Sequence, residues 1–345
     1  MNIKDAMLCK RICGTAVLVL LTGGVILQNL FSAGGNYQPM QAGGTVLSQS
    51  APEEDLTGIP EPADAQKVVQ LSFVGNCIIG SMLGSSAYGT FNELLASAGP
   101  GYFLEKVEPI LAEDDWTVCA LGSVLGDGDY TPVEKDANEL VWYRGPAAGA
   151  EVLAQGSVEV VSMATDHTWD YGEAGYTDTI TAIENSGLLW GNDEHAVYLE
   201  KGGIRIGLYL CSFREEETDL PRILAWLENA KETCDLLVVY PHGHLSGEPA
   251  AEAVLTAYRT MIDSGADLVL ASHDTTVTAP FSYGDGVIMP SLGSFLSGDT
   301  RFPTLDTGIF RLKLLCAEDT IESWEWTWIP VLAYEEPWQP IVADE

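Results

Sequence analysis

Short apolar runs and amphipathic segments alternate along the middle of the chain. Six runs rich in Val, Ile and Leu are typical of buried strands: residues 68–74, 118–121, 158–163, 204–210, 236–240 and 268–271. Apolar residues at helical spacing lie between them, in residues 92–111, 147–155, 173–186, a segment that begins near Pro221, and 249–263. This alternation predicts an α/β domain in which most of the sheet is parallel.

The C-terminal part of this domain has a different pattern. Residues 287–292, 308–315 and 321–329 read as strands with no helix between them. Trp324, Trp326 and Trp328 alternate with polar residues, which predicts that one face of the last strand is buried. We therefore expect a domain that spans residues 67–330, followed by an acidic tail at 331–345.

The N-terminal 33 residues indicate export. Lys4, Lys10 and Arg11 precede a mostly apolar stretch at 12–31, and no charged residue follows Arg11 until Glu53. That length suits a membrane helix, and the basic flank places the N-terminus in the cytoplasm and the bulk of the chain outside. A cleaved signal peptide is the alternative, although Phe31 is too large for the preferred cleavage site, so an uncleaved anchor is favoured. The Gly-, Pro- and Ser-rich residues 34–66 then predict a flexible extracellular linker.

The charge balance limits the possible partners. The chain has 16 Lys and Arg against 50 Asp and Glu, a formal net charge of -34. Such a surface repels phosphate backbones, so nucleic acid is excluded as a partner. The same field repels a polyanionic substrate unless a cation or a local basic patch intervenes.

Polar side chains follow several of the predicted strands. Asn76, the pair Asp166 and His167, the pair His242 and His244, and His273 all come at strand ends. In open α/β sheets the carboxyl ends of the strands are where ligands collect, and carboxylate and imidazole groups from separate elements can converge on one cation. A metal site or a catalytic site at this edge is one interpretation. The other is that Asp166 and Asp170 only cap turns and helix starts.

At these strand ends the chain resembles the CapA family of bacterial capsule-synthesis proteins, which is linked to poly-γ-glutamate. The resemblance covers the chain from Val68 to about Pro330. The family sequence Ala-Asn-Asn-His-x-x-Asp-Tyr-Gly is similar to the segment from Ala164 to Gly172, which contains Asp166, His167 and Asp170. Five further motifs match in order, and in this chain they read Gly75-Asn76, Ala120-Leu121-Gly122, His242-Gly243-His244, Ala271-Ser272-His273-Asp274-Thr275 and Ser291-Leu292-Gly293-Ser294-Phe295.

This resemblance implies a fold and a site. The fold would be a calcineurin-like metallophosphatase fold, an α-β-β-α sandwich of two mixed sheets flanked by helices. The metal ligands would be drawn from Asn76, Asp166, His242, His244 and His273, and the ion would be Mn, Zn or Mg. His167 would act as general acid with Asp170 orienting it.

The chain departs from the family at the site itself. Where the family has Asp, Glu and a final His, this chain has Asn76, Gly122 and Thr275. Losing two carboxylates removes much of the negative charge that would hold a metal pair, so a single ion is the most that the remaining residues would hold.

Two hypotheses for the function follow. One is an exported, membrane-anchored, metal-dependent hydrolase or transferase that acts on an envelope polymer or its precursor, such as poly-γ-glutamate. The other is a catalytically inactive binding or assembly component of a capsule synthesis or export complex, with capsule-synthesis membrane proteins as partners. The retained His167, Asp170 and His273 favour catalysis, and the three substituted positions favour the second hypothesis.

Overall fold

The computed structural model describes residues 67–85, 89–135, 140–214, 216–243, 248–272, 276–298, 306–336 and 338–343. The predicted anchor at 1–33 and the predicted linker at 34–66 lie outside these residues. Within the part of the chain that the structure describes, no helix has the length and apolar character needed to cross a bilayer.

The strands fall into two large sheets and one small one. In chain order they are β1 (Lys67–Ile78), β2 (Ser81–Met82), β3 (Trp116–Leu121), β4 (Val124–Leu125), β5 (Tyr143–Gly145), β6 (Val160–Ser162), β7 (Leu189–Gly191), β8 (Val197–Lys201), β9 (Ile204–Phe213), β10 (Leu236–Gly243), β11 (Leu268–Leu270), β12 (Phe281–Tyr283), β13 (Gly286–Met289), β14 (Ser294–Ser297), β15 (Asp306–Ala317), β16 (Thr320–Glu336) and β17 (Gln339–Val342). The first sheet has the order β17-β16-β15-β1-β3-β6-β7, with β14 paired to β1. The second has the order β12-β13-β11-β10-β9-β8, and β2-β5-β4 form the small sheet.

Six α-helices accompany these strands in the described residues. They are α1 (Phe91–Ala98), α2 (Glu108–Leu111), α3 (Ala150–Ala154), α4 (Gly172–Asn185), α5 (Glu216–Ala230) and α6 (Glu248–Asp263). Thr90 caps α1 by accepting a hydrogen bond from the Glu93 amide, and Gly187, at φ 77°, follows the end of α4.

Three apolar layers hold the sheets and helices together. Residues of both large sheets, such as Phe73 and Tyr240, pack face to face in a central layer. A second layer lies between the first sheet and α1 to α4, and a third lies between the second sheet and α5 and α6. Both large sheets contain parallel and antiparallel pairs. The predicted α-β-β-α sandwich of the metallophosphatase type is confirmed.

All nine predicted strands are present, but the predicted helical segment 92–111 is divided into α1 and α2, and the ends of several strands differ from the prediction. The sequence did not predict β2, β4, β5, β7, β8, β12, β14 and β17. β1 continues through Asn76 to Ile78, and β10 continues through His242. Asn76 and His242 therefore lie within strands. The sequence pattern had predicted that they follow the strands. Beyond Pro330, β16 and β17 remain paired in the first sheet, which corrects the predicted acidic tail at 331–345. The Trp face of β16 packs against the central layer, partly buried, as predicted.

Near its end, β1 is in close contact with the residue before β14, its partner strand, and with the second large sheet. A Cβ on Gly75 would lie 1.8 Å from the carbonyl oxygen of Gly293, so only glycine fits there. The amide of Asn76 donates to that same carbonyl at 3.2 Å, and the Tyr240 hydroxyl donates to the carbonyl of Val74. These contacts fix the position of the residues that follow, including Asn76.

The burial of Asp114, far from the strand ends where the candidate site residues lie, provides a test of the fold. Burial raises the pKa of its carboxyl from 3.8 to about 7, even though hydrogen bonds from Ser72 and Thr117 favour the charged form. An acid whose folded pKa is raised binds its proton more tightly in the folded state. The stability of the protein should therefore fall as pH rises from about 4 to about 7, and this cost should remain at higher pH.

We predict that Asp114→Asn removes this loss, since the amide oxygen can still accept from Thr117. The difference in unfolding free energy between the variant and wild type should grow by about 1–2 kcal/mol in favour of the variant from pH 5 to pH 8, as measured by urea denaturation. Asp285→Asn, in the exposed turn between β12 and β13, is the control and should change stability equally at both pH values. If the stabilities of both variants relative to wild type changed equally from pH 5 to pH 8, the burial of the Asp114 carboxyl would be contradicted.

Candidate functional site

The segment after β6 forms a tight turn that buried hydroxyl groups hold in place. Thr165 donates to the carbonyl of Leu121 on the neighbouring strand. Thr168 donates to the carbonyls of Met163 and Thr165 at 2.9 and 3.0 Å. The next residues form a 3-10 turn at His167–Trp169, and α4 begins after it. The sequence correctly placed polar side chains on a short turn between strand and helix.

The carboxylate of Asp170 is the buried centre of this turn. Its side chain has 0% exposed surface, and it accepts hydrogen bonds from three groups. The ammonium of Lys135 contacts Oδ1, the backbone amide of Tyr143 donates to Oδ2 at 2.6 Å, and Nδ1 of His167 lies 2.9 Å from Oδ2. A carboxylate in this environment needs such donors, because an unpaired buried charge is strongly disfavoured.

The contact with Asp170 determines the tautomer of His167. An ionised carboxylate only accepts hydrogen bonds, so Nδ1 of His167 carries the hydrogen. Nε2 takes no part in this contact. The ring packs edge-on against Tyr143, with centroids 4.7 Å apart, and its side chain is 25% exposed. The predicted pair of His167 and Asp170 is thus brought together, with Nε2 left as the nitrogen for acid-base chemistry.

Lys135 belongs to this cluster and was missed at the sequence level. Its ammonium also donates to the carbonyl of Val141 at 2.8 Å and lies 3.4 Å from Nδ1 of His167. Its side chain is 14% exposed. Lys135 lies in an irregular segment 35 residues before Asp170, so no periodic pattern connects the two. The scarcity of cations in so acidic a chain was the available signal.

Asp166 is paired with a cation of the protein. Nη2 of Arg214, just after β9, lies 2.5 Å from Oδ1 of Asp166. Both side chains are partly exposed, at 52% and 38% for Arg214 and Asp166. Arg214 was also not predicted. The negative charge proposed as a metal ligand is therefore neutralised by a guanidinium group.

Asn76 and Gly122 are complementary in shape. Asn76 is buried, and its Oδ1 has no hydrogen-bond partner among the described residues. A Cβ on Gly122 would lie 2.7 Å from this oxygen and 2.8 Å from Nδ2. The side chain of Asn76 thus fills the space where a ligand side chain at position 122 would begin. The two substitutions relative to the family motifs are coupled by packing.

Of the remaining predicted ligands, His242 lies among the described residues. His242 is 2% exposed, and its Nδ1 lies 3.1 Å from the hydroxyl of Ser272. His244 and His273 lie outside the described residues, so their predicted roles stay predictions. Among the residues that the structure does describe, no group of three or more His, Cys, Asp or Glu side chains is arranged to hold a metal ion.

The described residues do not fit the two-metal centre that the fold family implies. Asn76 is uncharged, position 122 has no side chain, and Asp166 is paired with Arg214. Too little negative charge remains to offset the desolvation of two divalent ions.

Comparison with known proteins points to one family. A family model described as "Bacterial capsule synthesis protein PGA_cap" matches residues 70–299. The chain is 22% identical over 254 residues to the "Capsule biosynthesis protein CapA" of Bacillus anthracis, covering 64% of this chain and 60% of that protein. It is also 22% identical over 269 residues to the "PGA biosynthesis protein CapA" of Bacillus subtilis (strain 168), covering 72% of this chain and 68% of that protein. A crystal structure of a hypothetical protein from Thermus thermophilus superposes with a TM-score of 0.46 and 12% identity, covering 76% of this chain and 99% of the other.

The role of Asp170 leads to a stability prediction. Asp170→Asn should lower the unfolding free energy by about 3 kcal/mol, because the buried ammonium of Lys135 loses its counter-charge. Urea denaturation measures the change. The control is Glu325→Gln, which breaks the exposed ion pair with Lys313 (3.0 Å) and should change stability by less than about 0.5 kcal/mol. Similar values for both variants would contradict the buried ion pair.

The packing of Asn76 against Gly122 can be measured by a double-mutant cycle. Gly122→Ala should cost about 1–3 kcal/mol, because the new methyl group overlaps the Asn76 amide. The cost should fall by about 1 kcal/mol in an Asn76→Ala background, where that amide is gone. Additive effects of the two substitutions in denaturant unfolding would mean that the two positions are independent.

Proposed function

We propose, because the chain belongs to the PGA_cap family of bacterial capsule synthesis proteins, that it serves in the biosynthesis of an envelope polymer as a binding or assembly component. The relative from Bacillus subtilis is named for PGA biosynthesis, and the proposed partner of this chain is an envelope polymer such as poly-γ-glutamate or its precursor. The proposed location is the outer face of the cell membrane, with the N-terminal segment as anchor and membrane proteins of the capsule system as neighbours.

The observation that carries this proposal is the contact between Asn76 and Gly122. Two-metal hydrolysis needs anionic ligands that hold both ions and activate a water molecule. Here the amide of Asn76 occupies the space in which a ligand side chain at position 122 would begin. The pair formed by Asp166 and Arg214 supports the same conclusion, since a metal ion would have to displace the guanidinium group.

The second candidate function is a hydrolase or transferase with a reduced site, and one observation favours it. Asp170 contacts Nδ1 of His167, so Nε2 is the nitrogen left to hold or release a proton. A single Mn, Zn or Mg ion on Asp166, His273 and either His242 or His244 belongs to this candidate. To bind this ion, Asp166 would have to break its ion pair with Arg214.

Metal titration distinguishes the two candidates. We expect the full chain to show no saturable binding of Mn²⁺ or Zn²⁺ in the micromolar range by titration calorimetry. Weak binding to the acidic surface should be the same in wild type and in His273→Ala. A stoichiometric site that His273→Ala abolishes would overturn the binding role and support the reduced metal site.

The need for acid-base chemistry is tested in the cell. A strain that lacks this gene should regain its envelope polymer when it is given either the wild-type gene or His167→Gln, at equal protein levels. Asp170→Asn serves as the destabilised comparison, because it disturbs the same turn. Polymer production by wild type and none by folded His167→Gln would show that His167 performs chemistry.

A further inference from the structure

A cavity next to the His167 turn has no role in the function proposed above. Its volume is about 650 Å³, within the roughly 300–1,000 Å³ that is usual for small-molecule sites. It lies between the start of α4, the segment after β7 and the end of β9. The side chains that matter here are those of Trp169, Tyr176, Trp190, Glu194, His195 and Arg214.

One wall of the cavity presents an exposed aromatic face. Trp169 is 49% exposed although it is large and apolar. Its ring stacks on Tyr176 at a centroid distance of 4.3 Å and an interplanar angle of 14°. Tyr176 is buried and covers one face of the Trp169 ring, while about half of the Trp169 side chain remains exposed. The Trp169 ring is therefore a preformed surface for a flat ligand face.

Asn192 anchors the turn after β7 that forms another part of the cavity lining. Its Nδ2 donates to the hydroxyl of Tyr176 at 2.8 Å, and its Oδ1 accepts from the backbone amides of Glu194 and His195, both at 2.9 Å. This turn places the ring of His195 beside Trp190, with centroids 5.2 Å apart. The backbone at Glu194 and His195 is thus held in place, and the ring of His195 lies next to an aromatic ring before any ligand arrives.

The charges around the cavity are largely paired within the protein. Arg222 bridges Asp193 and Asp219, and Arg214 pairs with Asp166. Glu194 is exposed, and its carboxylate adds a negative charge to a chain whose net charge is -34. A polyanion would be repelled here. A ligand rich in hydroxyl groups would not be, and it could donate to the carboxylate of Glu194.

We infer that this cavity binds an uncharged saccharide, with one sugar ring lying on Trp169 and its hydroxyl groups bound by Glu194, His195 and Arg214. The C–H groups on the face of a sugar ring carry partial positive charge, and the face of an indole ring is negative, so the two attract each other as an aromatic edge and face do. The inference does not rest on the proposed function, because the cavity is lined by residues other than Asn76 and Gly122, whose contact supports that proposal.

The test measures binding of three neutral tetrasaccharides, cellotetraose, maltotetraose and N-acetylchitotetraose, to the full chain by titration calorimetry. At least one should bind saturably. Trp169→Ala should weaken that binding at least tenfold, and Trp169→Phe, which keeps a ring face, should weaken it less. Tyr198→Ala removes an aromatic ring of similar exposure (45%) outside the cavity and should leave binding unchanged.

Two further measurements keep the inference falsifiable. Glu194→Ala, at an exposed position, should weaken binding without affecting the fold. Glu325→Gln, at an exposed position outside the cavity, should bind the saccharide as wild type does. The inference is overturned if none of the three tetrasaccharides binds, if Trp169→Ala binds equally well, or if trigalacturonate or tetramethylammonium binds in preference to all three.

Discussion

The buried carboxylate of Asp170 connects parts of the chain that are distant in sequence. It has no exposed surface, so it is stable in its charged form only if donors from the protein replace water. Lys135, the amide of Tyr143 and His167 provide them, and they come from the segment before β5, from β5 itself and from the turn after β6. The position of the small sheet and the orientation of His167 both depend on this carboxylate.

The same balance of charges governs the rest of the strand-end edge. A metallophosphatase-type site concentrates carboxylates, and divalent cations neutralise them. In this chain protein groups do so instead, because Arg214 pairs with Asp166, and Asn76 and Gly122 carry no charge. Among the described residues, the charge of Asp166 at this edge is therefore balanced by a group of the protein itself.

The sequence predicted the architecture well, since buried strands and amphipathic helices have strong periodic patterns. It also placed Asp166, His167 and Asp170 on one turn after β6. It did not place Asn76 and His242 inside strands, because an apolar run does not reveal that pairing continues through polar residues such as Asn76. Lys135 and Arg214 were missed because their partners are far away in sequence. Such long-range ion pairs leave no local signal, and the cavity beside Trp169 is formed by three separate segments.

The most direct measurement of this organisation is the tautomer of His167 in the full chain, read from long-range ¹H–¹⁵N NMR correlations of the imidazole rings. The chain has five histidines, and His167→Gln identifies the signal of interest. In the neutral ring the hydrogen should be on Nδ1, strongly deshielded by the bond to Asp170, and Nε2 should carry none. A neutral ring with hydrogen on Nε2 and none on Nδ1 would contradict the contact with Asp170 and with it the organisation of the site.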